Sequence, residues 1–235
     1  MVRRPEVVVF DVNETLSDMT PLRERFVAAG ARADSLDVWF AATLRDAFAL
    51  TVVGAPAVFP EVATGVLLSM LHGVADDPPA AAASILAGFG SLDVHPDVPD
   101  GMRLLADAGV RMVTLTNGSA AMAAKLFDRA GVADLVEARL SVDQIGRWKP
   151  APEPYRWAAE QCGVDVAACA MVAVHPWDTD GAKRAGMATG WVDRSGAPYP
   201  GVFLPADATG PDLPTVVRAL LALPATGPAR TDAAA

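Results

Sequence analysis

Hydrophobic and polar positions divide the chain into two kinds of segment. Residues 7–10, Val-Val-Val-Phe, are four consecutive apolar residues, three of them β-branched, and they read as a buried strand that stops at Asp11. From Ser17 to Val94 the spacing becomes helical. Leu22, Phe26 and Val27 mark one helix, and Leu36 to Val53 a second with Trp39, Phe40, Leu44, Phe48 and Val52 recurring along it. Two more are predicted over Leu67–Val74 and Ala80–Phe89, separated by Asp76-Asp77-Pro78-Pro79, where the prolines interrupt and the acids can cap.

Beyond His95 strands and helices alternate. Helices are predicted over 98–108, 120–130, 152–162 and 181–185, closed by Gly109, Gly131, Gly163 and Gly186, and a terminal one over 211–223. Strands fall at 110–116, 136–140, 170–174 and 189–192. This rhythm predicts an α/β fold: a Rossmann-like three-layer core with a mostly parallel sheet, built from residues 1–16 and 95–223 and carrying residues 17–94 as an inserted helical cap. Residues 224–235 have nothing to bury, and a disordered tail is expected there.

Composition narrows the class. In 235 residues, 52% are hydrophobic, ample for a buried core, and 19 basic against 28 acidic residues leave a net charge of -9. Without a dense Lys/Arg run, neither nucleic acid nor an anionic membrane is an expected partner. No apolar stretch is long enough to span a bilayer, and Met-Val-Arg-Arg-Pro-Glu leads straight into a strand without a signal-like apolar region, so a cytoplasmic location is expected. Cys162 and Cys169, seven apart in apolar surroundings, read as buried free thiols.

The chemistry gathers where strands end. Asp11 with Asn13 and Thr15, Thr116 with Asn117, and His175 with Trp177 and Asp178 each follow a strand, on the edge where open α/β sheets bind ligands. Lys149, followed by Pro150 and then Tyr155, lies between the second and third groups. A carboxylate at the first strand end is a nucleophile, a metal ligand or a helix cap. An ammonium within about 4–6 Å would hold it ionised. Asn117 and the Gly118 backbone, before a helix, suit a carboxylate or a phosphate alike. Asp178 also reads as an N-cap for the helix through Ala182, and Asp180 more simply so.

Four stretches, Phe10-Asp11-Val12-Asn13-Glu14-Thr15-Leu16, Leu115-Thr116-Asn117-Gly118-Ser119, Trp148-Lys149-Pro150 with Tyr155, and His175-Pro176-Trp177-Asp178-Thr179-Asp180-Gly181-Ala182, stand in the order of the motifs of the haloacid dehalogenase superfamily. The chain resembles the L-2-haloacid dehalogenase (type II) branch over about residues 6 to 223. That resemblance implies hydrolysis of a short 2-haloalkanoic acid, a small anionic substrate, through an ester of Asp11. Lys149 would hold Asp11 ionised, Asp178 would orient or deprotonate the hydrolytic water, Thr15 and Thr116 would donate hydroxyls, and Tyr155 would be an active-site tyrosine. It also allows a homodimer paired through the cap.

The chain departs from the family at four positions. Asn13 stands where the superfamily's phosphatases carry an acid able to protonate a leaving alcohol, and Val174 stands where they carry a Mg²⁺ carboxylate, so no metal and no cofactor are expected. Phe40 follows Trp39 where the dehalogenases carry an arginine for the halide, and Arg45 and Arg23 are the nearby substitutes. His175, in place of a small amide, either donates to the substrate or leaving group or satisfies a turn. The alternatives are a Mg²⁺-dependent phosphatase or phosphonate hydrolase, and a catalytically weak carboxylate-binding protein of the same fold.

Overall fold

The computed structural model describes residues 2–55 and 57–225. Among them β1 (Val7–Phe10), β2 (Arg111–Thr116), β3 (Ala138–Ser141), β4 (Cys169–Ala173), β5 (Ala188–Val192) and β6 (Ala208–Gly210) form one sheet in the order 3-2-1-4-5-6. Every adjacent pair is parallel. β1 is fully buried along its length and pairs with β2 on one side and β4 on the other, so the direction of winding reverses at its edges. The carboxyl ends of these three strands therefore open onto one crevice.

Helices cover both faces, as buried parallel strands require. α5 (Val98–Asp107) packs on α9 (Leu213–Leu221), α7 (Pro152–Cys162) packs on α8 (Pro176–Ala185), and α6 (Ala120–Ala130) lies against β3. Gly131 and Gly163 end α6 and α7 in the left-handed region, at φ of 66° and 67°, where a Cβ would be unfavourable. The expected class, α/β with a Rossmann-like core, is the one found.

Between β1 and β2 the chain forms α1 (Leu22–Ala28), α2 (Ser35–Val52), α3 (Phe59–Leu71) and α4 (Pro78–Ala87), which pack on one another. Their shared interior is aromatic: Trp39 lies 5.8 Å from Phe26, 6.4 Å from Phe59 and 6.0 Å from Phe89, between ring centres. The segment leaves and returns at one place, where Asp18 N–H donates to Asp93 O and His95 N–H donates to Leu16 O. Pro78 and Pro79 sit at the start of α4, where no N–H is needed, and Asp77 accepts from Ala80 N–H at 3.0 Å.

Several boundaries differ from those expected. α3 starts at Phe59, not Leu67, and stops at Leu71. α8 starts at Pro176 and not Gly181, because the polar stretch Trp-Asp-Thr-Asp is already its first turn, where a proline and acids are favoured although no apolar stripe announces a helix. Asp178 and Asp180 are thus inside the helix and do not cap it: Asp180 pairs with Arg184 and accepts from Leu204 N–H. β6, too short and polar to read as a strand, is recruited by pairing with β5. Pro224 O accepts from Arg4 N–H at 2.8 Å, while residues 226–235 of the expected tail lie outside the described residues. Cys162 and Cys169 are free and buried, and no described helix is long and apolar enough to cross a membrane.

Close packing between α5 and α9 depends on Gly101, where a Cβ would lie 2.5 Å from Leu213 Cγ. The variant Gly101→Ala is expected to lose about 1–3 kcal/mol of stability. Denaturant unfolding should show this as a lower midpoint with an unchanged slope.

Candidate active site

β1 delivers Asp11 to the crevice, and the loop that follows is held from three sides. Arg194 donates to Thr15 O at 2.8 Å, His95 Nε2 to Glu14 O at 3.1 Å, and His175 Nε2 lies 3.3 Å from Asn13 O. Three successive carbonyls are thereby gripped by side chains from distant parts of the chain. Glu14 takes φ 62°, uncommon for a residue with a side chain, to make that turn.

The loop before α7 supplies Lys149, which is wholly buried. Its Nζ donates to Asp11 Oδ1 at 2.9 Å and to Asp178 Oδ2 at 2.6 Å, so one ammonium joins two carboxylates. Each carboxylate's other oxygen also has a donor: Thr15 Oγ1 to Asp11 Oδ2, and Tyr155 OH to Asp178 Oδ1, both at 2.6 Å. The Lys149 backbone is fixed in turn by Asn117, whose Oδ1 accepts from Lys149 N–H and whose Nδ2 donates to Lys149 O. Thr15 Oγ1 accepts from Val174 N–H at 3.0 Å.

Charge balance follows from this arrangement. Burial raises the pKa of Asp11, but Lys149, His175 and the Thr15 hydrogen bond outweigh it and leave the carboxyl below its ordinary value. For Asp178 burial dominates, with Asp11 adding to it against the pull of Lys149, and its pKa is raised. Burial opposes the charge on Lys149, yet the two carboxylates raise its pKa and keep it cationic. Tyr155, buried beside Asp178, is held well above the ordinary tyrosine value and stays a donor.

Asp11 faces a small pocket shared with Asn13, Phe40, Leu44, Phe59, Asn117, His175 and Trp177, with room for little more than one water, about 10 Å³. The His175 ring stacks on Trp177 at 5.0 Å and 16°, and its Nε2 lies 3.7 Å from Asp11 Oδ2 and 3.6 Å from Glu14 Oε2. Trp177 meets Phe48 of α2 edge to face. The helical segment therefore supplies one wall of the pocket and the strand ends the other.

Of the residues singled out from the sequence, Asp11, Asn13, Asn117, His175, Phe40 and Trp177 line this pocket. Lys149, Thr15, Tyr155 and Asp178 lie behind Asp11, with no exposed surface. Thr116 lies apart: its Oγ1 accepts from Gly118 N–H at 2.9 Å, and it borders a separate apolar cavity. Asn117, expected to help cradle an anion, spends its carbonyl and one amide hydrogen on Lys149. Arg45 is exposed and paired with Asp46, and Arg23 pairs with Asp37, so neither reaches the pocket. Leu44, Phe59 and Arg194 were missed. Apolar residues on a helix carry no signal that separates a pocket wall from core, and an arginine binding a carbonyl 179 positions away carries none at all.

Comparison with known proteins gives the family. The haloacid dehalogenase-like hydrolase model matches residues 5–186, and the chain belongs to that family of hydrolases. Haloacetate dehalogenase H-2 of Moraxella sp. (strain B) is 25% identical over 219 residues, 92% of this chain and 98% of that one. The solved L-2-haloacid dehalogenase of Xanthobacter autotrophicus with chloropropionic acid covalently bound superposes with a TM-score of 0.80 at 26% identity, over 91% of this chain and 97% of the other. A phosphoglycolate phosphatase of Neisseria meningitidis is 37% identical, but over 92 residues, 39% of each chain.

Replacing Lys149 by Met tests the electrostatic account. Without the ammonium both carboxylates are buried with no counter-charge, and a loss of about 3–5 kcal/mol at neutral pH is expected. Their folded pKa values then rise above the unfolded value of about 3.9, so the native state binds protons more readily than the unfolded chain. Urea midpoints should show the difference from the parent protein shrinking as pH falls through the raised folded pKa values toward that unfolded value.

Proposed function

We propose that the protein is a metal-independent 2-haloacid dehalogenase acting through an ester of Asp11. The observation that carries this reading is the buried ammonium of Lys149 between Asp11 and Asp178, 2.9 and 2.6 Å from their oxygens, beside a pocket walled mainly by apolar and aromatic side chains. Asp11 Oδ attacks C2, the carbon–halogen bond breaks from the opposite side, and the halide leaves with the bonding pair. A low pKa keeps the nucleophile ionised, and the near absence of water leaves it poorly solvated and reactive.

Water then attacks the Asp11 carboxyl carbon. The acyl–oxygen bond breaks, releasing a 2-hydroxy acid inverted at C2 and a proton. Asp178 is the base we assign to this step. Its raised pKa suits proton acceptance, and alkylation of Asp11 removes the neighbouring charge that adds to that rise. Both its oxygens are engaged, so the water must displace the Lys149 or Tyr155 contact. Thr15 and Tyr155 orient the two carboxylates. His175 is the group we assign to the departing halide, because it lines the pocket beside Phe40. In this reading residues 17–94 act as a cap that excludes water during alkylation.

The residues present do not suit Mg²⁺. A dication between Asp11 and Asp178 would compete with the ammonium already bound to both, and Val174 offers no carboxylate. The named relatives support carbon–halogen chemistry over phosphoryl transfer, because the dehalogenases match across nearly the whole chain and the phosphatase across 39% of it.

In a single turnover of 2-chloropropionate in ¹⁸O-water, the label is expected in the peptide containing Asp11 and not in the product. Label in lactate alone would mean direct attack by water and would sink the ester mechanism. Halide release should continue undiminished in excess EDTA, and turnover of phosphate esters restored by Mg²⁺ would favour the phosphatase reading.

A further inference from the structure

A second cavity adjoins the pocket at Asp11, and the reaction as written leaves it without a role. It has a volume of about 170 Å³ and an almost wholly apolar lining. Phe59, Leu86 and Phe89 face Met122, Ala123 and Leu126 of α6 across it. Asn13 and Phe59 border both spaces, so the cavity begins one side chain away from the nucleophile. Gly118 lets the Asn13 amide pack closely where the two spaces meet, since a Cβ there would come within 3.2 Å of Asn13 Nδ2 and 3.3 Å of Thr116 Oγ1.

We propose that this cavity is the subsite for the alkyl chain of the substrate, and that the preferred substrates are 2-haloalkanoates of about four to six carbons, beyond haloacetate and 2-halopropionate. The proposal rests on the dehalogenase reading and deepens it. A space of about 170 Å³ with a mainly apolar lining has room for a butyl group. The pocket at Asp11, with about 10 Å³ free, offers no space for an alkyl chain. A longer chain on C2 must pass between Asn13 and Phe59 into the space beyond. Each methylene buried there adds binding that persists in the transition state.

The test is kcat/KM for bromoacetate, 2-bromopropionate, 2-bromobutyrate and 2-bromohexanoate, by bromide release. A rise of about fourfold per added methylene up to hexanoate is expected. Ala123→Leu, which fills the cavity from α6, should lower the hexanoate-to-acetate ratio at least tenfold. Met122→Ala, which enlarges the cavity, should raise it, and it serves if the first variant does not fold. No rise with chain length while bromoacetate is turned over would overturn the subsite and leave the dehalogenase reading intact. An equal fall for every chain length in Ala123→Leu would make the cavity an entry path and overturn it too. Calorimetry with unreactive acetate, butyrate and hexanoate separates the two readings. Affinity that climbs with chain length in a protein releasing no halide would remove the dehalogenase and keep the alkyl site.

Discussion

One buried ammonium between two carboxylates is the constraint on which the core is arranged. Lys149 Nζ has no access to solvent, and a charge so placed is tolerable only where its neighbours compensate it. Asp11 and Asp178 do so, and each is then held by a hydroxyl, Thr15 on one side and Tyr155 on the other. Asn117 clamps the lysine's own backbone. The group carries a net negative charge, and the pKa shifts divide it unequally: Asp11, at the pocket, is the more readily ionised, and Asp178, behind it, the less. In the proposed two-step ester mechanism the more readily ionised carboxylate is the nucleophile and the one behind it the base.

The helical segment matters for what it removes. Phe40, Leu44 and Phe59 close over the strand ends and leave Asp11 facing space for about one water. Hydration would weaken both the nucleophile and its pairing with Lys149, because ion pairs are screened in water. The helices of the same segment meet in the aromatic cluster around Trp39. Phe40 of that segment lies 6.1 Å, between ring centres, from His175, which precedes α8, so an apolar ring and an imidazole border the pocket side by side.

Much of this was legible in the chain. The continuous apolar run 7–10 and the alternation of strand-like and helix-like segments after His95 are strong enough to announce an α/β sheet, and the polar residues after three strands announced where chemistry would gather. The start of α8 was not legible, because its first turn is polar. Nor was β6, a three-residue strand that exists only because β5 offers it an edge.

The residue types, their order and their positions after strands were therefore determined by sequence alone, since local periodicity and strand ends are local properties. Only the tertiary structure decided which oxygens Lys149 would join, that Thr116 would border a different cavity, that Asn117 would serve the lysine backbone, and that Arg45 would stay outside. The contacts of Lys149 and Asn117 join positions 29 to 138 residues apart, whose geometry is set by packing across the sheet and cannot be encoded in any short stretch of chain.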